Sequence, residues 1–205
     1  MFDISADGKL VATSSDAGAR TYVKIWKTGD LLTAALPKPI FKNGEHCESQ
    51  ASCGFDAQFA DMIFSPDGNY LAATDIGQKM YFWSVRDTGA MPMTGTGDGR
   101  SGKNLPARGQ ALAFLPREQE LHEKDTAFAK LRKAFPGFSS SDEGTLAIGL
   151  QDGGIVFWST QDSRRIMEVR QQKGGILGLA FSPDGEALAS SGNDGVVRIM
   201  HAAPQ

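Results

Sequence analysis

One stretch of this 205-residue chain has the spacing of a phosphate-binding loop. Residues 97–103 read Gly-Asp-Gly-Arg-Ser-Gly-Lys, which satisfies Gly-x-x-x-x-Gly-Lys, a loop whose backbone N–H groups and lysine hold nucleotide phosphates. However, Lys103 is followed by Asn104, where that chemistry needs a Ser or Thr hydroxyl for magnesium. No strand pattern leads into the loop, and Pro106 interrupts the helix that should follow it. We therefore interpret residues 86–108 as a Gly-rich surface loop and predict no cofactor.

Cysteine and histidine are too few and too dispersed to indicate a metal or catalytic site. His46, Cys47 and Cys53 lie close together in sequence, but a structural zinc site needs four ligands, commonly from two such pairs, and no second pair is present. The other histidines are His122 and His201. The sequence has no Gly-x-Ser-x-Gly elbow, and no spacing connects a Ser or Cys with a His and an acid. We predict no bound metal, no catalytic residue and no enzymatic activity.

The composition is that of an ordinary soluble globular protein, with 40% hydrophobic and 22% charged residues. The formal net charge is −3, whereas a nucleic-acid surface requires clustered basic residues. No apolar run approaches the roughly 18 residues of a membrane span, and the N-terminal residues do not resemble a signal peptide. We expect protein partners, no nucleic acid, no membrane segment within this chain and a cytoplasmic location.

The regular structure predicted for this chain is a repeat of short strands. Residues 174–201 contain three short apolar runs separated by turns at Asp184-Gly185 and at Asp194-Gly195. Gly accepts the positive φ that tight turns need, and Asp tolerates it, so the pattern is typical of an antiparallel meander. Three short strands cannot bury their own faces. The meander therefore needs neighbours of the same kind.

The same order of turn, small-residue strand, turn and alternating strand occurs three more times. The copies are marked by the turn glycines Gly8, Gly68, Gly144 and Gly185. Only the interval from Gly144 to Gly185 has the length of about 40 residues that is typical of a propeller blade. The other two intervals must therefore contain insertions.

These residues resemble the WD-repeat family of β-propellers. In that family Phe-Ser-Pro-Asp-Gly, a small-residue strand, an Asp-Gly turn and a terminal Trp recur in each blade. Residues 64–68 and 181–185 both read Phe-Ser-Pro-Asp-Gly, and Trp26, Trp83 and Trp158 end alternating strands. The resemblance implies an all-β fold, a propeller with about four to five blades present, together with one short helical insert. We expect a single partial propeller domain over 1–205, with repeats near 1–28, 59–85, 109–160 (including an insert at 116–138) and 174–201.

We interpret the chain as a fragment of a longer propeller. The alternatives are a small complete propeller and an open array of sheets that a partner completes. An open array would leave sheet edges and one blade face exposed, which favours aggregation.

Departures from the family pattern affect the buried Asp-His-Ser-Trp hydrogen-bond network that the resemblance implies. A Gln-Gln pair ending at Gln172 lies where Gly-His is usual, and Met200 occupies the position of the last Trp. We therefore expect this network to be incomplete. Asp152 and Asp194 are interpreted as turn formers, and Ser190 as a small packing residue.

The long inserts carry their own patterns. Around residues 39–42 we expect an outer strand, because prolines are tolerated at sheet edges. In the insert at 117–138, Asp125 can cap a helix, and Phe128, Leu131 and Phe135 form one apolar stripe. This stripe either packs on the propeller itself or docks another protein.

The function that these features favour is a non-enzymatic scaffold that presents propeller loops and faces to partner proteins. We predict partner contacts at the exposed loop positions Arg20, Lys79, Gln151 and Asn193, and at the apolar stripe of the insert. The alternatives are an enzymatic or small-ligand propeller with its site in the central channel, and the propeller segment of a larger multidomain protein. The step from fold to scaffold is an analogy with the family.

Overall fold

A computed structural model of the chain describes residues 1–17, 20–33, 38–42, 57–85, 102–116, 144–160, 164–170 and 172–201. Nearly all the regular structure in these ranges is β, and it forms four antiparallel sheets. The chain divides into two compact units, Met1–Pro106 and Ala107–Gln205. In the described ranges, no helix combines the length and apolar character that a membrane crossing requires.

The first unit contains two four-stranded sheets in which consecutive strands are neighbours. Sheet 1 consists of β1 (Phe2–Ile4), β2 (Leu10–Ala17), β3 (Arg20–Lys27) and β4 (Phe41–Lys42). A single short helix, α1 (Thr28–Thr33), follows β3. Sheet 2 consists of β5 (Phe59–Phe64), β6 (Tyr70–Asp75), β7 (Lys79–Ser84) and β8 (Lys103–Asn104).

The second unit contains one four-stranded and one three-stranded sheet. Sheet 3 consists of β9 (Gly109–Phe114), β10 (Thr145–Leu150), β11 (Gly154–Ser159) and β12 (Arg164–Arg170). Sheet 4 consists of β13 (Ile176–Phe181), β14 (Ala187–Gly192) and β15 (Val197–His201). Among the described residues no fourth strand pairs with β15.

In sheets 1, 2 and 4, one Ser and one Asp close the first turn, which lies between the first and second strands. In sheet 1 the Ser5 hydroxyl donates to Asp7 Oδ1 (2.8 Å), which also accepts the N–H of Lys9 (3.0 Å). Gly8 has a φ of 69°, the left-handed region that favours glycine. The same Ser–Asp pairing recurs at Ser65 with Asp67 and at Ser182 with Asp184, where Gly68 and Gly185 have φ values of 67° and 68°. The predicted repeat of Asp-Gly turns is confirmed.

In each unit the two sheets pack face to face. We call the face that sheet 1 or 3 turns toward the next sheet its forward face, and the face that sheet 2 or 4 turns toward the preceding sheet its rear face. The opposite face of each sheet has the other name. The forward face of sheet 1 shares a core cluster with the rear face of sheet 2; its members include Ala12, Val23 and Ile25 from sheet 1 and Leu71, Ala73, Tyr81 and Trp83 from sheet 2. The forward face of sheet 3 does the same with the rear face of sheet 4; its members include Ala111, Ala147, Ile155 and Phe157 from sheet 3 and Ile176, Leu188 and Met200 from sheet 4.

The details between the repeats agree with the sequence predictions only in part. The outer strand expected around 39–42 is present as β4. Asp16 pairs with Thr21 and Ala17 with Arg20, so the ladder of β2 and β3 continues to Arg20, which was predicted to lie in a loop. The helix α1 was not predicted. The expected helix with Phe128, Leu131 and Phe135 lies outside the described residues.

Candidate interaction surface

The predicted loop positions all lie at the second turn of a sheet, between its second and third strands. In the first unit Arg20 begins β3 and Lys79 begins β7; in the second unit Gln151 and Asn193 start the second turns of sheets 3 and 4. The side chains of Gln151 and Asn193 are exposed, and that of Lys79 is half-buried. Gln151 and Asn193 occupy equivalent positions, directly after the second strand of their sheets, whereas Arg20 and Lys79, predicted to lie in exposed loops, are the first residues of third strands. The apolar stripe of the insert lies outside the described residues.

The second turn of sheet 2 is built around Asp75, which is only 2% exposed. Its Oδ1 accepts the N–H groups of Gly77 and Lys79, both at 2.8 Å, and its Oδ2 accepts the hydroxyl of Tyr81 at 2.9 Å. These bonds hold Gln78 in the left-handed region, at a φ of 65°, which is uncommon for a residue with a side chain. The backbone from which Lys79 projects is therefore fixed. Asp75 was not predicted as a turn residue, although an Asp that ends a small-residue strand two positions before Gly77 is a signal for one.

Asp152 and Asp194 hold the second turns of sheets 3 and 4, as predicted. Each accepts the N–H of the residue two positions later, at 3.1 Å. The other carboxylate oxygen of Asp152 pairs with Arg170 at 2.8 Å, and that of Asp194 with Arg198 at 2.9 Å. Burial acts to raise the pKa of Asp194, but the hydrogen bonds from Arg198 and from backbone N–H groups outweigh it and hold this pKa below its ordinary value. Both of these turns therefore pair an aspartate with an arginine.

Gln151 and Asn193 are brought together by Gly174 and Gly175, which lead into β13. The N–H of Asn193 donates to the carbonyl of Gly175 at 2.9 Å. A Cβ on Gly175 would lie 2.8 Å from the carbonyl oxygen of Gln151, and one on Gly174 would collide with Asn193 Oδ1. The backbone contact requires glycine at 175, whereas a side chain at 174 would displace the amide of Asn193. We call Gln151, Gly174, Gly175 and Asn193 the second-turn surface.

The buried Gln172 precedes Gly174 and Gly175 in the chain, and its contacts correct the prediction that Ser190 is only a packing residue. Its buried Nε2 donates to the backbone carbonyl of Ser190 (3.1 Å) and to the carbonyl of Val196 (3.2 Å), and it lies 3.3 Å from Ser190 Oγ. Ser190 is therefore a hydrogen-bonding residue and not only a small packing residue. A glutamine amide at the position of the usual histidine makes the link to this serine. In sheet 1 another link of the network is present, because Trp26 Nε1 donates to Thr13 Oγ1 at 3.0 Å.

A cavity of about 710 Å³ lies in the first unit beside the first turns of sheets 1 and 2. Its wall includes the charged side chains of Asp7, Lys9, Lys27, Asp30 and Asp67. The backbone N–H of Lys9, the Ser5 hydroxyl and the Lys9 ammonium together lower the pKa of Asp7 to about 2. The wall therefore holds the ionised carboxylate of Asp7 close to lysine side chains, which suits a polar ligand or a peptide segment.

The sequence motifs that suggested other chemistry have different places in the structure. Lys103, the last residue of the phosphate-loop motif, pairs with Met80 in the ladder of β7 and β8. A Cβ on Gly102 would lie 2.8 Å from Lys79 Cβ, so this glycine serves a close approach of two strands. In the ranges that the structure describes, no three His, Cys, Asp or Glu residues are grouped as they would be around a metal ion. His46, Cys47, Cys53 and His122 lie outside those ranges.

Comparisons with known proteins connect this geometry with one family. Residues 163–200 match the family model described as WD domain, G-beta repeat. WD repeat-containing protein 55 of Bos taurus is 23% identical over 159 residues, which cover 71% of this chain and 42% of that protein. Protein HIR1 of Eremothecium gossypii is 21% identical over 201 residues, which cover 97% of this chain and 22% of that protein. A chain in the crystal structure of the mitotic checkpoint complex has a TM-score of 0.60 at 18% identity, covering 98% of this chain and 46% of that one. This likeness shows the fold alone, and the chain spans less than half the length of each of these relatives.

Proposed function

Because the chain belongs to the WD-repeat family, whose members typically act as scaffolds for protein interactions, we propose that it is a non-enzymatic scaffold that binds protein partners in the cytoplasm. The observation that carries the proposal is the second-turn surface. Gln151 and Asn193 present exposed polar side chains from backbone that Gly174 and Gly175 hold in place.

A fixed backbone matters because binding must offset the entropy lost when a surface becomes ordered. In the second-turn surface this ordering is already present in the free protein, since the N–H of Gln151 donates to the carbonyl of Arg108 at 2.8 Å and that of Asn193 to Gly175. Both amide side chains offer donors and acceptors to a partner. The neighbouring ion pair between Asp152 and Arg170 adds a polar rim of the kind found around protein interfaces.

The test begins with capture of partners by the immobilised full chain, followed by measurement of the dissociation constant with the purified partner. The double variant Gln151→Ala and Asn193→Ala should weaken binding by at least about tenfold, since few interface residues carry most of the affinity. The matched control is Gln58→Ala with Asn104→Ala, which removes the same two side-chain types from exposed positions of the other unit.

Two results would count against the proposal. Equal affinity of both double variants would remove the second-turn surface from the contact. Saturable turnover, or a melting shift with a small ligand in the absence of any protein partner, would favour the small-ligand alternative, for which the cavity beside Asp7 and Asp67 is the first place to examine.

A further inference from the structure

The third strands of sheets 3 and 4 carry the same apolar alternation in two different environments. In β11, Ile155 and Phe157 on the forward face are 0% and 1% exposed. In β15, Val197 and Ile199 are 66% and 60% exposed. A single exposed apolar residue needs no explanation, but two neighbours on one sheet face form a patch of the kind that marks an interaction site.

The strand registers show that these positions are equivalent. Phe157 pairs with Ala147 of β10, as Ile199 pairs with Ala189 of β14. Side chains alternate between the two faces of a strand, so Val197 and Ile199 lie on the forward face of sheet 4, opposite the buried Met200. Sheet 4 therefore has an apolar forward face, like that of sheet 3, on which no sheet of the described ranges packs.

The rear face of sheet 1 is exposed in the complementary way. Ile4 pairs with Val11, and Val11 with Trp26, as Phe181 pairs with Leu188 and Leu188 with Met200. The rear face of sheet 1 therefore includes the apolar residues Phe2, Ile4, Val11 and Trp26. Phe2 is 70% exposed and Ile4 is 52% exposed, whereas Leu188 and Met200 on the rear face of sheet 4 are buried.

In the first unit, a forward face of small and β-branched residues packs on a rear face with larger side chains. Ala12, Val23 and Ile25 share a cluster with Tyr81 and Trp83. The exposed faces repeat this contrast. Ala189, Val197 and Ile199 on sheet 4 are small or β-branched, whereas Phe2 and Trp26 on sheet 1 are aromatic. We propose that the forward face of sheet 4 binds the rear face of sheet 1 of a second copy of this chain, in a head-to-tail contact.

Lys24, which also lies on the rear face of sheet 1, is compatible with this contact. Lys24 lies over the ring of Trp26, with its Nζ 5.9 Å from the ring centroid. Arg198 has the equivalent position on the rear face of sheet 4. That face packs on sheet 3, and the Arg198 side chain is still partly exposed. A long side chain at this position can therefore bury its stem and keep its charge in water.

Sedimentation velocity of the full chain over a range of concentrations tests the proposal. The wild-type chain should self-associate. Ile199→Glu on the forward face and Phe2→Glu on the rear face should each weaken association by at least about tenfold, because a carboxylate would be buried without a partner. The control Leu32→Glu, at an exposed apolar position on α1, should associate like the wild type.

Mixing the variants identifies which faces meet. Ile199→Glu keeps an intact rear face and Phe2→Glu keeps an intact forward face, so an equimolar mixture should form a one-to-one complex that neither variant forms alone. Circular dichroism verifies folding, and Val197→Lys with Ile4→Lys replaces any variant that fails to fold. A monomeric wild type, or self-association of Phe2→Glu at wild-type strength, would overturn the proposal. These faces are separate from the second-turn surface, so either proposal can fail alone.

Discussion

Replacing Asp75 by Ala should be among the most destabilising single changes at a turn of this chain. The substitution leaves three donors without their acceptor: the N–H groups of Gly77 and Lys79 and the hydroxyl of Tyr81. Tyr81 is 3% exposed, and an unsatisfied buried donor costs about 1–3 kcal/mol. The two N–H bonds to a carboxylate contribute about 1.5–3 kcal/mol each before water replaces part of them at the exposed Gly77. We therefore expect the free energy of unfolding to fall by about 3–5 kcal/mol.

Urea unfolding followed by tryptophan fluorescence measures this loss, and a double-mutant cycle assigns it. Tyr81→Phe removes only one of the three bonds and should cost about 1–2 kcal/mol. The double variant should be less destabilised than the sum of the two single variants, because both remove the same hydroxyl-to-carboxylate bond. Asp30→Ala, at an exposed position on α1, is the control and should leave stability unchanged. A loss below about 1 kcal/mol for Asp75→Ala, or additive effects in the cycle, would refute this reasoning.

Three further predictions concern other described contacts. Gln172→Leu should lower the melting temperature because it removes the donor to Ser190, whereas Gln172→His, which restores a ring N–H, should lower it less; equal losses would contradict this role. Gly149→Ala should cost about 1–3 kcal/mol, since its Cβ would lie 2.5 Å from Ile176 Cγ2, while Gly29→Ala, with nothing within 4 Å, is the control. Carbon-13 NMR should give Asp7 a pKa near 2, against its ordinary 3.8; the stability that Asp7 adds is complete above pH 3.8, is lost as the pH falls toward 2, and disappears in Asp7→Asn.

The repeated turns could be predicted because their determinants are close together in sequence. Ser5, Asp7 and Gly8 form their bonds within a few residues of one another. The pattern Ser-x-Asp-Gly therefore includes the residues that determine the turn. The helix α1 has no such signal. It is six residues long, contains Gly29 and buries no side chain, so neither periodicity nor composition distinguishes it from a loop.

The position of the candidate surface could be predicted from the sequence, but the contacts that fix its backbone could not. The second turns were evident from Asp152 and Asp194, whereas the need for Gly174 and Gly175 depends on two turns that are distant in sequence. Gln172 was misread because its amide makes the bond expected of a different residue type.

Exposure was the least predictable property. Ile155 and Val197 occupy the same place in the same alternation. Their burial depends on whether another sheet packs on them, which is a property of the neighbour and not of the strand.

The hydrogen bonds of the first turns have an evolutionary consequence. At Ser5 and Asp7, at Ser65 and Asp67, and at Ser182 and Asp184, the side-chain bonds that close the turn stay within a single hairpin. A mutation in one of these hairpins is therefore not propagated to the others through the side chains that close them, and each copy can accumulate changes at its own pace. Duplicated segments can diverge in this way, or be exchanged by grafting, while their common corner keeps its shape.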